Sequence, residues 1–525
     1  MRVVIIGGNH AGMAVAMHLR RNDDKCEIII LEASDELGVS VQGLPYLAEG
    51  KLKNPDALVG ATPLQLKKLF HIETRLQVNI KHIFAAKKYI LLDNEERLAY
   101  DKLILANWCL GKPQHLKGIE QPYIFDAGCL KDMARLADFE VNKVLISGGG
   151  FYSLRLAEAF IKRGAEVTLV TPDKHLLPSF DEDFAEMVTH KIKLNHLKIH
   201  VRTTIKKFLP QSADLSNGQI ENFDVALLVP PEVSVFHLPM TPMLKFGPAG
   251  GVAVDKWMHT SVNNVWACGD IIEYRDILSK KTRRLNSAAL IAQSAKCVAD
   301  VTTRRRVTFH PVLQNQIVKV FGYYIGQIGC SEADLRAAGL SYHRVYLSQP
   351  HAEVYLKEAT PLNAKLLFGH NGMLLGLQLF GKNGVSDRLN TAAALMSQQA
   401  SVYQLARLPL AYFPELSLAK DMLNNLGSLS ASVLDNKLKT LRLSSLKEDD
   451  VILNVCNKTS IRLFTKAQMV HLPFQFLREN LHLLPTDKRI VVYCGSGYSA
   501  YLAYCLLRNN GFEKAYLLNS PEVWQ

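Results

Sequence analysis

A β-branched run at residues 3–6 ends at Gly7-Gly8-Asn9-His10-Ala11-Gly12, a helical pattern follows through residue 21, and a second apolar run at 27–31 ends on Glu32. Strand, glycine turn, helix, strand and acid in that order leave few folds open. A glycine turn after a strand lets backbone N–H groups and a helix N-terminus meet a pyrophosphate with no Cβ in the way. Glu32 stands 20 residues beyond Gly12, where a carboxylate accepts hydrogen bonds from a ribose. Gly7, Gly8, Gly12 and Glu32 are therefore expected to hold a dinucleotide; the glycine cluster taken alone would read as a structural turn.

The pattern recurs downstream. The run 144–146 leads into Gly148-Gly149-Gly150, a helix to about residue 163 and a strand at 167–170. A third apolar strand, 264–268, ends in Gly269-Asp270, placing a carboxylate at the carboxyl edge of a sheet, where doubly wound folds bind ligands. A small-residue helix is expected from about 286 to 300. From about 309 short strands (316–321, 366–368, 374–379) mix with amphipathic helices, residues 428–446 are rich in Ser, Leu and Lys and read as a linker, and a small α/β unit begins at 451. Strands alternating with helices predict an α/β fold with parallel sheets.

A chain of 525 residues is too long for one core. Hydrophobic residues at 48% and charged residues at 21% exclude the disordered and membrane classes. The net charge of +12 is scattered, densest at Lys280-Lys281-x-Arg283-Arg284 and Arg304-Arg305-Arg306. These clusters read as solvated loop charge, or as attraction for a phosphate-bearing small substrate; no nucleic-acid motif accompanies them, so no nucleic-acid partner is expected. The nine cysteines are dispersed and form no CxxC, which argues against a disulfide scaffold and a zinc site. The chain starts directly on a strand without a signal-peptide pattern, and no apolar run is long enough to span a bilayer. A reducing, cytoplasmic setting is expected.

The segment Thr260-Ser261-x-x-Asn264-Val265-Trp266-Ala267-Cys268-Gly269-Asp270 resembles the second FAD motif of the flavin-dependent pyridine nucleotide–disulfide reductases. The resemblance gives Asp270 the ribityl chain of FAD. His10 within the first turn, Gly43-Leu44-Pro45-Tyr46 and Thr62-Pro63 are similar to the branch of NADH oxidases, NADH peroxidases and coenzyme A-disulfide reductases. Residues from 309 to about 427, with Ala411-Tyr412-x-Pro414 and Ala419-Lys420-Asp421, resemble that branch's dimerisation domain. Residues 451–525, with Val491-Val492-Tyr493-Cys494-Gly495-Ser496-Gly497-Tyr498, resemble a rhodanese domain. The resemblance implies a homodimer with two doubly wound domains, one for FAD at 1–115 and 247–308 and one NAD(P)-binding-like at 116–246, an α+β dimerisation domain at 309–430 and a small α/β rhodanese-like domain at 447–525. It also implies a thiol, persulfide or coenzyme A-type substrate. Arg20, Arg21, Lys67 and Lys68 stand where the family reaches coenzyme A phosphates, with solvated helix charge as the simpler reading. Tyr355 and Tyr412 match tyrosines presented by the partner subunit, whereas the second tyrosine of Ala-Tyr-x-Pro-x-Tyr is Leu416.

The departures are chemical. The family's redox cysteine precedes Gly-Leu-Pro-Tyr, and Gln42 occupies that position. An amide neither forms a thiolate contact with flavin nor attacks a disulfide. His10 keeps its place and reads either as a flavin-side acid–base group or as a plain helix N-terminal histidine. In the second glycine turn Gly148 and Gly150 remain, but Ser153 replaces the third glycine, Thr171 the ribose-binding acid and Arg155 the glutamate expected near the nicotinamide. The usual glycine-proline loop is altered at Val229-Pro230-Pro231-Glu232. NADH or NADPH remains compatible. In the rhodanese-like unit Ser499 replaces the active-loop arginine, and Asn454-Val455-Cys456 replaces Asp-Val-Arg. Cys494 is the candidate sulfur carrier. Cys456 and Cys494 end strands expected in one sheet, so they either pair or stand as separate buried thiols. Two functions follow: an FAD-dependent NAD(P)H oxidoreductase lacking the redox cysteine, with His10, Gln42, Cys494, Tyr355 and Tyr412 at its site; or a redox-silent FAD-binding relative serving as a dimeric binding or sulfur-carrier protein.

Overall fold

The structure is a computed structural model that describes residues 1–106, 116–136, 139–192, 196–229, 239–457, 467–494 and 498–520. Cys109, Pro230, Pro231, Glu232, Gly495, Ser496 and Gly497 lie outside the described residues. The chain divides into two compact units, Met1–Lys174 with Leu194–Val312, and His175–Lys193 with Leu313–Gln525.

In the first unit, strands Val265–Ala267, Lys102–Leu105, Arg2–Ile6, Glu27–Leu31 and Ile72–Arg75 form a parallel sheet in that spatial order. Val3, Val4 and Ile5 are all fully buried, which is the near-continuous apolar signature of a strand covered on both faces. Strands Leu197–His200, Glu166–Val170, Lys143–Ser147, Val225–Leu228 and Ile124–Asp126 form a second parallel sheet. Two small sheets built on antiparallel meanders add to these, one through Ile80–Phe84, Tyr89–Leu92 and Arg97–Ala99, the other through Ile205–Leu209, Ser212–Leu215 and Ile220–Asn222.

Arg20 is not a solvated helix charge. It is 9% exposed, and its guanidinium donates to the carbonyls of Phe70 at 2.6 Å, His71 at 2.9 Å, Asp24 at 2.7 Å and Asp23 at 3.2 Å. The fork of donors on Arg closes two chain ends at once: the C-terminus of its own helix, His10–Asn22, and that of helix Pro63–Phe70. Arg21, Lys67 and Lys68 are exposed.

In the second unit, Asn315–Val320, Tyr323–Gly329, Leu374–Gly381, Pro361–Phe368 and His343–Pro350 form an antiparallel sheet in that order, the α+β arrangement expected of this region. Pro361–Phe368 and Leu374–Gly381 each run 8 residues, longer than their sequence signals. The stretch 428–446 is no plain linker: its first part belongs to helix Met422–Leu434, and Thr440–Leu441 is a strand. The serines that lend it linker composition are satisfied within the helix, the Ser428 and Ser432 hydroxyls each donating at 2.9 Å to the carbonyl four residues back. Thr440–Leu441, Ala515–Leu518, Ile490–Tyr493, Val451–Asn454 and Gln468–His471 then form a parallel sheet. Among the described residues no helix is long and apolar enough to cross a membrane.

Candidate active site

The first glycine turn has no spare volume. A Cβ on Gly12 would lie 1.8 Å from the Gly7 carbonyl oxygen, and Gly7 has φ 104°, so helix and strand approach as only glycine permits. Asn9 caps the helix by accepting the Gly12 N–H at 3.1 Å. Glu32 reaches back from the second strand, its carboxylate accepting the N–H of Gly8 at 2.5 Å and of Ser34 at 2.8 Å. His10 opens the helix and is exposed. The third strand meets the same turn: Gly269 has φ 85°, and a Cβ there would fall 3.0 Å from that of Ala11. Ser294 accepts the Gly269 N–H at 3.2 Å, and the Tyr274 hydroxyl donates to the Gly269 carbonyl at 2.7 Å. These contacts fix the adjoining Asp270, which is 5% exposed. Arg284 donates to the Asp270 carbonyl at 3.2 Å, so this member of the basic cluster belongs to the motif and not to a solvated loop. Gly7, Gly8, Gly12, Glu32, Gly269 and Asp270 thus converge. A glycine turn, a carboxylate beside it and a buried aspartate at the neighbouring strand end fit FAD, which when bound would supply the redox chemistry.

Gln42 lies exposed in the short turn Val41–Gly43, ahead of helix Leu44–Ala48. The described cysteines of this unit are not poised as thiolates. Burial pushes the thiols of Cys26, Cys129 and Cys268 above their ordinary range, and that of Cys297 up to about 11.

At the second turn Gly148 has φ 134°, and its Cβ position is 2.5 Å from the Ser153 Oγ. That hydroxyl is buried and has no hydrogen-bond partner among the described residues. Gly149 closes on Thr171, and Gly150 caps the helix Phe151–Lys162. Just past the strand Glu166–Val170, Thr171 Oγ1 donates to the Asp173 carboxylate at 2.8 Å. A buried, unsatisfied hydroxyl at a glycine turn and a carboxylate beyond the next strand fit a nicotinamide dinucleotide. Arg155 pairs with Glu158 and lies 4.9 Å from the ring centre of Tyr46, four residues past Gln42. Lys162 bridges Glu158 at 2.8 Å and Glu49 at 3.1 Å, tying helix Leu44–Ala48 to helix Phe151–Lys162.

In the second unit Tyr412 and Tyr355 are exposed and close to each other; the Tyr412 hydroxyl donates to Glu353 at 3.2 Å. Desolvation and this carboxylate, with Tyr355 adding to them, push the Tyr412 phenol up to about 12. Cys494 is 8% exposed, and its Sγ lies 3.2 Å from that of half-buried Cys456. A buried charge cluster lies outside every expectation from the sequence. Lys365 Nζ, with 0% exposure, contacts Asp181 at 2.9 Å, Asp183 at 2.7 Å and Glu332 at 2.6 Å. The ammonium supplies the positive charge that three carboxylates this close require. The signal in the sequence is one lysine inside the mostly apolar strand Pro361–Phe368.

Two nucleotide-type glycine turns, each on its own parallel sheet, with an FAD-shaped first site, define a flavoprotein oxidoreductase scaffold. The pyridine nucleotide-disulphide oxidoreductase family matches residues 1–294, its dimerisation domain residues 315–422, and the rhodanese-like domain residues 433–520. The chain belongs to the pyridine nucleotide-disulphide oxidoreductases, enzymes that use FAD and NAD(P)H. It is 24% identical to an NADH oxidase of Methanocaldococcus jannaschii over 83% of this chain and 100% of that one. It is 23% identical to a coenzyme A disulfide reductase of Staphylococcus aureus over 81% of this chain and 99% of that one. The solved structure of an NAD-dependent persulfide reductase from A. fulgidus superposes with a TM-score of 0.92 at 26% identity, covering 100% of both chains.

Proposed function

We propose that the protein is an FAD-dependent NAD(P)H oxidoreductase that works without a thiol at position 42, delivering electrons to oxygen, a quinone-like acceptor or sulfur held by Cys494. The observation that carries this reading is the pairing of a complete FAD cradle with an exposed amide at Gln42, while the unit's described cysteines are held as thiols by burial. Asp173 takes over as the acceptor for the nicotinamide ribose, Ser153 faces the pyrophosphate, and His10 lies beside the flavin as a proton-handling group. The working form is a cytoplasmic homodimer in which Tyr355 and Tyr412 face the substrate. Wild-type protein is expected to oxidise NADH or NADPH with oxygen or a quinone and to form no coenzyme A thiol from its disulfide. Gln42→Cys is expected to gain that disulfide reductase activity. Disulfide reduction by the wild type at the rate of the variant would contradict the reading.

The second reading, a redox-silent FAD-binding relative acting as a dimeric binding or sulfur-carrier protein, is favoured by Arg155. Its guanidinium is paired to Glu158 beside Tyr46, at the sequence position where the resemblance expects a nicotinamide-side glutamate. Failure of both nucleotides to reduce the flavin would decide for it.

A further inference from the structure

The strands Val451–Asn454 and Ile490–Tyr493 are parallel neighbours with Asn454 opposite Tyr493, and the Val455 N–H extends the ladder by donating to the Tyr493 carbonyl at 3.0 Å. Cys456 and Cys494 therefore leave the sheet side by side at its carboxyl end. The backbone of Cys456 is fixed on both sides: its N–H donates to Asn454 Oδ1 at 3.0 Å, and His471 Nε2 donates to its carbonyl at 2.8 Å. Adjacent strands lie about 4.8 Å apart, within the Cα separation a disulfide accepts. The sulfurs are 3.2 Å apart, the separation of a near-attack pair.

We propose that Cys456 is a resolving thiol for a persulfide on Cys494, making the rhodanese-like domain a dithiol device that turns sulfane sulfur into hydrogen sulfide. This rests on the part of the functional reading that places sulfur on Cys494. In the loading step the Cys494 thiolate attacks the outer sulfur of a low-molecular-weight persulfide, R–S–SH; the S–S bond breaks and RS⁻ leaves. In the resolving step the Cys456 thiolate attacks the inner sulfur of Cys494–S–SH. A Cys456–Cys494 disulfide forms, the terminal S–S bond breaks, and hydrosulfide leaves with the electron pair, taking up the proton lost by Cys456. The sulfane sulfur is reduced by two electrons and the two cysteines are oxidised by two. A small dithiol then reduces the disulfide by exchange and restores both thiols. Attack within one chain between fixed sulfurs replaces a bimolecular encounter with a second thiol. The residue types agree with this role. At position 456 the family pattern has an arginine, which is no nucleophile; a cysteine there supplies one.

The full-length protein, reduced and freed of reductant, is mixed anaerobically with glutathione persulfide and no nicotinamide nucleotide. Released hydrosulfide is trapped, and the protein is alkylated and mapped without reduction. The wild type is expected to release hydrosulfide and yield a Cys456–Cys494 cross-linked peptide. Cys456→Ser and Cys456→Ala are expected to retain one added sulfur on Cys494, with hydrosulfide release lowered at least about tenfold. Wild-type protein that keeps the persulfide while Cys456 is alkylated, that takes up no sulfur, or that matches the Cys456 variants in release overturns the proposal. The cross-link is read on the wild type, so a misfolded variant does not blunt the test. No nucleotide is present, so failure here leaves the flavin reading intact, and failure of flavin reduction leaves this result intact.

Discussion

An added Cβ at position 12 would sit 1.8 Å from a backbone oxygen that has no means of moving aside. Gly12→Ala must therefore push the first helix off the turn, an overpacking cost of about 1–3 kcal/mol falling on the FAD cradle. The purified variant is expected to carry much less flavin per chain than wild type, measured by absorbance after gel filtration; full flavin content would contradict the close approach. Asp173 is the second informative residue. If it accepts from the nicotinamide ribose, Asp173→Ala loses a charge-assisted hydrogen bond of about 1.5–3 kcal/mol, raising KM for NADH by roughly tenfold or more. The rise for NADPH is expected to be smaller, since its phosphate replaces the hydroxyl that a carboxylate would read. Steady-state kinetics with both nucleotides checks this. The glycines and Glu32 were legible in the sequence because their demands are local: a turn without Cβ, and an acid at a fixed spacing. Asp173, Arg284 and Ser294 were not, because their roles depend on where a loop, a hairpin and a helix bring them.

Elements are held here by a few charged side chains whose partners lie far away in sequence. Arg20 closes two helix ends through four carbonyls. Arg20→Ala is expected to cost about 2–3 kcal/mol in denaturant unfolding of the first unit, and Arg21→Ala within about 0.5 kcal/mol. Equal effects would contradict the clamp. In the second unit burial opposes the charge on Glu332, but Lys365 and bonds from Tyr342 and Arg344 outweigh it and lower the carboxyl from 4.5 to about 2. A depressed folded-state value stabilises the fold above the unfolded value, and that stabilisation is lost as pH falls from 4.5 through about 2. Asp181, raised chiefly by its burial, works in the opposite sense and subtracts from the effect. Glu332→Gln should flatten the acid limb of a stability–pH profile, and an unchanged limb would assign that limb to other groups. The strand and helix order of the first unit could be read from alternating apolar runs. The antiparallel meanders and the helix through 428–434 could not, since hairpin strands such as Ile205–Leu209 carry exposed lysines and the helix is rich in serine.

At the scale of the whole chain, the architecture was more legible than the chemistry. Domain order is expected from motifs repeated in sequence, and the family matches lie along residues 1–294, 315–422 and 433–520. The proposed function turns on the residues at positions 42, 153, 155 and 171, whose combined effect is a matter of geometry between elements. The proposed function requires nicotinamide nucleotide to reduce the flavin although position 42 carries no sulfur. Anaerobic titration of the purified protein with NADH and then NADPH, followed at the flavin absorption band, tests it most directly. Rapid bleaching by at least one nucleotide is the expected result. A flavin spectrum that stays oxidised through excess of both would contradict the proposed function and leave a redox-silent flavoprotein whose chemistry lies at Cys456 and Cys494.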